Sequence, residues 1–103
     1  MKINILFLLL LIPAISFAQI KVTEPSVPES LHIYDTAGNT YVDHLLGDCT
    51  SRRYHLPPNH IKYDAIFSVL LAAQTAQKQV QIRYDGCSNN GSQGNIIGVY
   101  LVD

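Results

Sequence analysis

The chain opens on an unbroken apolar run, Ile5–Ile12, and nowhere later is apolar character so concentrated. Lys2 places one positive charge ahead of the run, Pro13 breaks it, and Ser16-Phe17-Ala18 follows with small residues two apart. A basic start, a short apolar core and a small-x-small exit are the parts of a secretory signal peptide. A membrane anchor needs about 20 apolar residues to cross a bilayer, and this run is shorter. Residues 1–18 are therefore expected to be a removable leader. No cysteine stands at the expected cut to take a lipid.

Beyond the leader the pattern is that of a small mixed domain. Gln19–Ser30 sets Pro25 and Pro28 among polar residues and reads as a loose lead-in. Leu31–Asp35 and Thr40–Leu46 have strand character. They are joined by Thr36-Ala37-Gly38-Asn39, where Gly and Asn tolerate positive φ, so a hairpin is predicted. Arg52–Leu56 predicts a short third strand, which Pro57-Pro58 stops by removing ladder donors. Tyr63, Ile66, Phe67, Leu70 and Ala73 recur at spacings of three and four, predicting a helix over about His60 to Gln77. Ala65, Val69, Leu71, Ala72 and Ala76 widen its apolar face over most of the circumference, so more than one neighbour should cover it. Val80, Ile82 and Tyr84 then alternate with Gln81 and Arg83, the period of a half-buried strand. Ser88–Asn95 is turn chemistry throughout and reads as a flexible connector. Ile96–Val102 is apolar on both faces and wants cover on both.

The order strand, strand, short strand, helix, strand, strand is that of a small five-stranded OB-fold-like barrel, with its one helix between strands three and four. A sandwich of one helix on an antiparallel sheet is the competing α+β reading. A single domain over residues 31–103 is expected, after the lead-in at 19–30.

Composition narrows the function. The 103 residues carry Lys+Arg 7, Asp+Glu 8 and a formal net charge of −1. That excludes a large enzyme and a protein that holds nucleic acid by phosphate neutralisation. Export would put Cys49 and Cys87 under oxidising conditions, where the two thiols pair as a disulfide. No Gly-rich phosphate loop, His-Glu-x-x-His or Cys-x-x-Cys motif occurs, and no metal or cofactor is implied. His55 and His60 flank Pro57-Pro58, and His32 and His44 belong to the predicted hairpin, yet neither pair has a ligand spacing. Ser51, His55 and Asp48 name a triad that short local spacing rarely builds. A non-catalytic protein is expected. Arg52-Arg53-Tyr54 is the basic and aromatic cluster, within a chain of six tyrosines and no tryptophan. Tyrosine faces that pack on sugar rings, with Arg, Asn and Ser donating to hydroxyls, suit an exported chain better than nucleic acid does.

The stretch Ala72–Tyr84, a helix end running through a short polar turn into Val80-x-Ile82-x-Tyr84, resembles the subtilase cytotoxin B-subunit family. The Cys87 loop and Ile96-Ile97-Gly98-Val99 add to the likeness, which covers about Tyr54–Val102 and more loosely Leu31–Leu46. The resemblance implies an OB-fold lectin that assembles into a homopentamer, binds sialylated cell-surface glycans and carries a separate enzymatic subunit. By position it implies that Tyr84 touches sugar, with Ser30 the nearest match to a serine that does so. The chain departs from the family in being short, in placing Cys87 after the fourth strand, and in lacking a match for an acidic sugar contact. The expectation is an exported, periplasmic or secreted glycan-binding module without membrane insertion, its site drawn from Tyr84, Ser30, Arg52 and Tyr54. The alternative is a small periplasmic protein that binds or inhibits a protein partner through its apolar edge strand.

Overall fold

A computed structural model describes residues 19–103; the expected leader, 1–18, lies outside the described residues. Six strands and one helix follow in the order β1 (Ile20–Val22), β2 (Glu29–Ile33), β3 (Thr40–Asp43), β4 (Arg53–Leu56), α1 (Tyr63–Ala76), β5 (Val80–Ser88) and β6 (Gln93–Leu101). They form one sheet in the order β1-β5-β6-β4-β3-β2. All pairs are antiparallel except β4 with β6, which run parallel at Tyr54↔Gly94 and His55↔Asn95.

Two expectations change here. The sheet has six strands rather than five, and no ladder joins its outer strands into a closed barrel. The extra strand comes from the supposed lead-in: Ile20, Lys21 and Val22 pair with Asp85, Tyr84 and Arg83 of β5. Pro25 and Pro28 lack the N–H that would carry a ladder onward, so pairing breaks between β1 and β2. Even there Thr23 N–H donates to Ile82 O at 2.9 Å, and Ser26 exchanges backbone bonds with Val80 at 3.1 and 2.8 Å. The second change is the predicted connector at Ser88–Asn95. β5 and β6 run into it from both sides and pair as far as Ser88↔Gln93, because Asn89 (φ 54°), Asn90 (φ 62°) and Gly91 (φ 84°) compress the reversal into consecutive left-handed residues. Asn and Gly are the residues that occupy that region most readily.

The helix starts later than its apolar period suggests. Pro57-Pro58 is followed by turns in which His60 N–H reaches Pro57 O and Tyr63 N–H reaches His60 O, so regular winding begins at Tyr63. At the other end Gln77 adopts φ 57° and ψ 43°. Its N–H meets Gln74 O while Lys78 N–H meets Ala73 O, a Schellman ending that satisfies two terminal carbonyls.

Strand alternation decides the core. Val42 of β3, Tyr54 and Leu56 of β4, Val80, Ile82 and Tyr84 of β5 and Ile96 of β6 turn inward against Ile66, Leu70 and Ala73 of α1. Gly94 admits no side chain, since a Cβ there would lie 2.6–2.7 Å from Tyr54 ring carbons. Cys49 and Cys87 are disulfide-bonded across a sequence separation of 38, a bond that fits maturation in an oxidising compartment. Among the described residues no helix is long and apolar enough to cross a membrane.

Candidate functional site

Two residues expected at a sugar surface are core residues instead. Tyr84 is 3% exposed and Tyr54 2%. Their rings meet edge to face, with centroids 5.3 Å apart. The Tyr54 hydroxyl donates to Leu45 O at 2.6 Å, and the Tyr84 hydroxyl accepts from Asp48 N–H at 2.9 Å. Gly47 lies across both hydroxyls, with no room for a Cβ. The physical reason is the period itself: in β5 and β4 the inward set is Val80, Ile82, Tyr84 and Tyr54, Leu56, leaving Arg83, Arg53 and His55 on the other face. Burial, with help from Tyr84 and Asp48, pushes the Tyr54 hydroxyl up to about 12, so it stays a neutral donor at any ordinary pH. These two tyrosines hold the Leu45–Asp48 loop in place.

Ser30 and Arg52 are exposed and lie on either side of Glu29. The Arg52 guanidinium reaches Glu29 Oε1 at 2.9 Å and His44 O at 2.8 Å. Ser30 sits at the irregularity of β2 with φ 54°. It lines a polar cleft of about 540 Å³ with Ser26, Glu29, Gln74, Gln77 and Gln79. Gln74 is held there by accepting from Leu31 N–H at 2.9 Å.

Sequence reasoning did not find the most distinctive surface feature, on the outer face of β2, β3 and β4. His32, Tyr41 and His55 are register neighbours on three adjacent strands. Their rings form a row, His32 to Tyr41 at 5.7 Å and Tyr41 to His55 at 5.0 Å. Tyr34, 71% exposed, stands edge-on to Tyr41 at 5.9 Å. Polar groups border the row on every strand. His32 Nδ1–H donates to Ser30 O at 2.7 Å, which ties the row to the cleft. His55 Nε2–H donates to Asn39 Oδ1 at 2.9 Å, and Asn39 Nδ2 in turn donates to Asp35 Oδ2 at 3.0 Å. The bonds from Asn39 hold the Asp35 carboxyl below its ordinary value, while burial lowers His55. On the same face Arg53 pairs with Asp43 at 3.0 Å, a bond that raises the guanidinium's already high pKa. The only signal in the sequence was that these residues alternate with the core set of the same strands; which ones become neighbours depends on strand register.

The histidines do not gather at one site. His44 is buried, and its Nε2–H is shared between Ser26 O and Val80 O at 3.0 Å each. Nδ1 has no partner. Among the described residues no three His, Cys, Asp or Glu side chains are placed to hold a metal ion.

His44 makes stability depend on pH. Burial, partly offset by its two carbonyl partners, lowers its pKa below the ordinary 6.5. The unfolded chain then binds a proton that the folded chain refuses. The contribution is complete above pH 6.5 and is lost as pH falls from there toward the folded value, at up to about 1.4 kcal/mol per pH unit. His55 shifts in the same direction. Urea titrations at pH 7.5 and 5.5 should give a lower midpoint at the acid pH, with a smaller difference in His44→Gln. An identical midpoint at both pH values would contradict the assignment.

No family model, curated protein or solved structure matches the chain.

Proposed function

We propose that the protein is an exported, non-catalytic module that binds carbohydrate on the outer face of β2, β3 and β4. The observation that carries the reading is the half-buried His32–Tyr41–His55 row with the exposed Tyr34 beside it. Aromatic rings take the apolar C–H faces of sugars, and their polar edges take hydroxyls. Asn39, Asp35, Asp43 and Arg53 supply both donors and acceptors around the row. The cleft at Ser30, reached through His32, offers amide and hydroxyl groups suited to a further sugar unit.

The topology supports the same reading. If β1 and β2 are counted as two halves of one first strand broken at Pro25 and Pro28, the order and the parallel β4–β6 pair follow an OB-fold. OB-folds bind oligosaccharides on their second and third strands and on the loop after the first. Those are β3, β4 and the Asp35–Asn39 turn. Sialylated glycans are the class implied by the family resemblance.

Purified protein should bind a subset of an immobilised glycan panel that includes sialylated members. Tyr34→Ala, an exposed change, should leave the melting temperature unaltered and weaken binding about tenfold, as removal of an aromatic anchor does. Binding that survives both Tyr34→Ala and Tyr41→Ala refutes the site; absence of binding across the panel refutes the function.

A further inference from the structure

Apart from the end of β5 at Gly86–Ser88, the sheet has three stretches of strand edge that no described strand pairs, and two are guarded. β1 is three residues long and carries Lys21, which is paired with Asp48. β2 carries Glu29, follows Pro28, and is distorted between Glu29 and His32. Charge, proline, shortness and irregularity are the usual means of blocking strand addition. The third stretch has no charge and no proline, and its one irregularity, a register shift against β5 at Ile97, lies at its start. β5 accompanies β6 as far as Leu101, whereas β4 leaves it after Asn95. Ile97-Gly98-Val99-Tyr100-Leu101 therefore presents backbone donors and acceptors on its far side, with no charged residue and no proline.

Beside this edge runs an apolar groove of about 320 Å³ between α1 and the end of β6, lined chiefly by Val69, Ala72, Ala73, Ala76 and Leu101. Leu101 is 58% exposed. Gly98, in the middle of the free stretch, lets a second backbone come close. Lys78 also lines the groove, and no carboxylate pairs with it among the described residues. A free edge calls for an extended backbone, an apolar groove for side chains at alternate positions, and the lysine for a negative group.

We propose that the β6 edge and the α1 groove bind an extended peptide of a partner protein, added to the sheet as a strand beside Ile97–Leu101. Its alternate apolar side chains enter the groove, and a carboxylate meets Lys78. This surface is separate from the aromatic row on β2–β4.

The test uses protein purified after expression of the whole 103-residue chain. The probe is a fluorescent peptide of alternating valine and threonine flanked by aspartate at both ends, read by polarisation. Saturable binding is expected. Ala72→Glu, an exposed change on α1, should weaken it about tenfold or more by placing a charge in the groove. A probe N-methylated at alternate residues should lose binding, because strand addition needs its N–H groups. Lys78→Glu should weaken binding about threefold, in the range of an exposed ion pair, and lysine-flanked probe should recover it. Tyr34→Ala should leave peptide binding unchanged. No saturable binding, or binding indifferent to Ala72→Glu or to N-methylation, overturns the proposal. So does a light-scattering mass showing an oligomer that Ala72→Glu dissociates, which would assign the edge to a second copy of the chain.

Discussion

Reducing the Cys49–Cys87 bond is expected to lower the unfolding free energy by about 4 kcal/mol, the value the chain-entropy model gives for a loop of this length. The bond spans a sequence separation of 38 and restricts the unfolded chain more than a local link would. Total stability for a domain of this size is about 5–15 kcal/mol, so the loss is a large fraction. The folded state is affected as well. Cys49 begins a loop whose Thr50 and Ser51 N–H groups donate to Gly91 O and Ser92 O at 3.0 and 3.1 Å. Without the covalent tie those bonds, with the one the Ser51 hydroxyl donates to Ser92 O, must hold the loop against the β5–β6 turn. Urea titration with and without reductant, or of the Cys49→Ala/Cys87→Ala pair, measures the effect. An unchanged midpoint would mean that the bond contributes nothing to stability.

Tyr84→Ala is expected to cost about 3–5 kcal/mol, the range for removing a large aromatic from a packed interior. Tyr84 fills the space between Tyr54, Gly94 and the Gly47 backbone, and truncation to Ala leaves a void there whose size sets the cost. Tyr84→Phe keeps the ring and loses only the bond from Asp48 N–H, so about 1 kcal/mol is expected. The two variants separate an interior role from a sugar contact. An interior ring predicts a large drop in melting temperature for Ala, a small one for Phe, and unchanged glycan binding for Phe. A normally folded Tyr84→Ala protein that had lost only glycan binding would reverse the assignment.

That contrast shows where the sequence was legible. The alternation of Val80, Ile82 and Tyr84 with Gln81 and Arg83 already put Tyr84 on the inner face, and the family resemblance drew it outward. The hairpin, the third strand, the helix and the cysteine pair could all be read from period, turn residues and parity. β1 could not, because three residues carry no measurable period and the prolines after it suggest irregular chain. The end of the β5–β6 hairpin was also misread. Asn89, Asn90 and Gly91 look like slack, yet they make the tightest reversal in the sheet. The aromatic row depends on facts one strand cannot contain: His32, Tyr41 and His55 lie far apart in the chain and become neighbours only through two register pairings. Ser30 and Arg52, expected at a sugar site, are exposed, and nothing in the sequence signalled Glu29, which pairs with Arg52.

The parallel contact between β4 and β6 has a kinetic consequence. The β2–β3–β4 meander and the β5–β6 hairpin are each built from short-range contacts and can form early on their own. Joining them requires β4 to meet β6 across the whole helical crossover, and β1 to meet β5 from the opposite end of the chain. Closing such distant contacts loses much chain entropy before any packing rewards it. Docking of the two halves, rather than formation of either, is therefore expected to be the slow step in reaching the native state, which stopped-flow refolding followed by separate probes of each half would check.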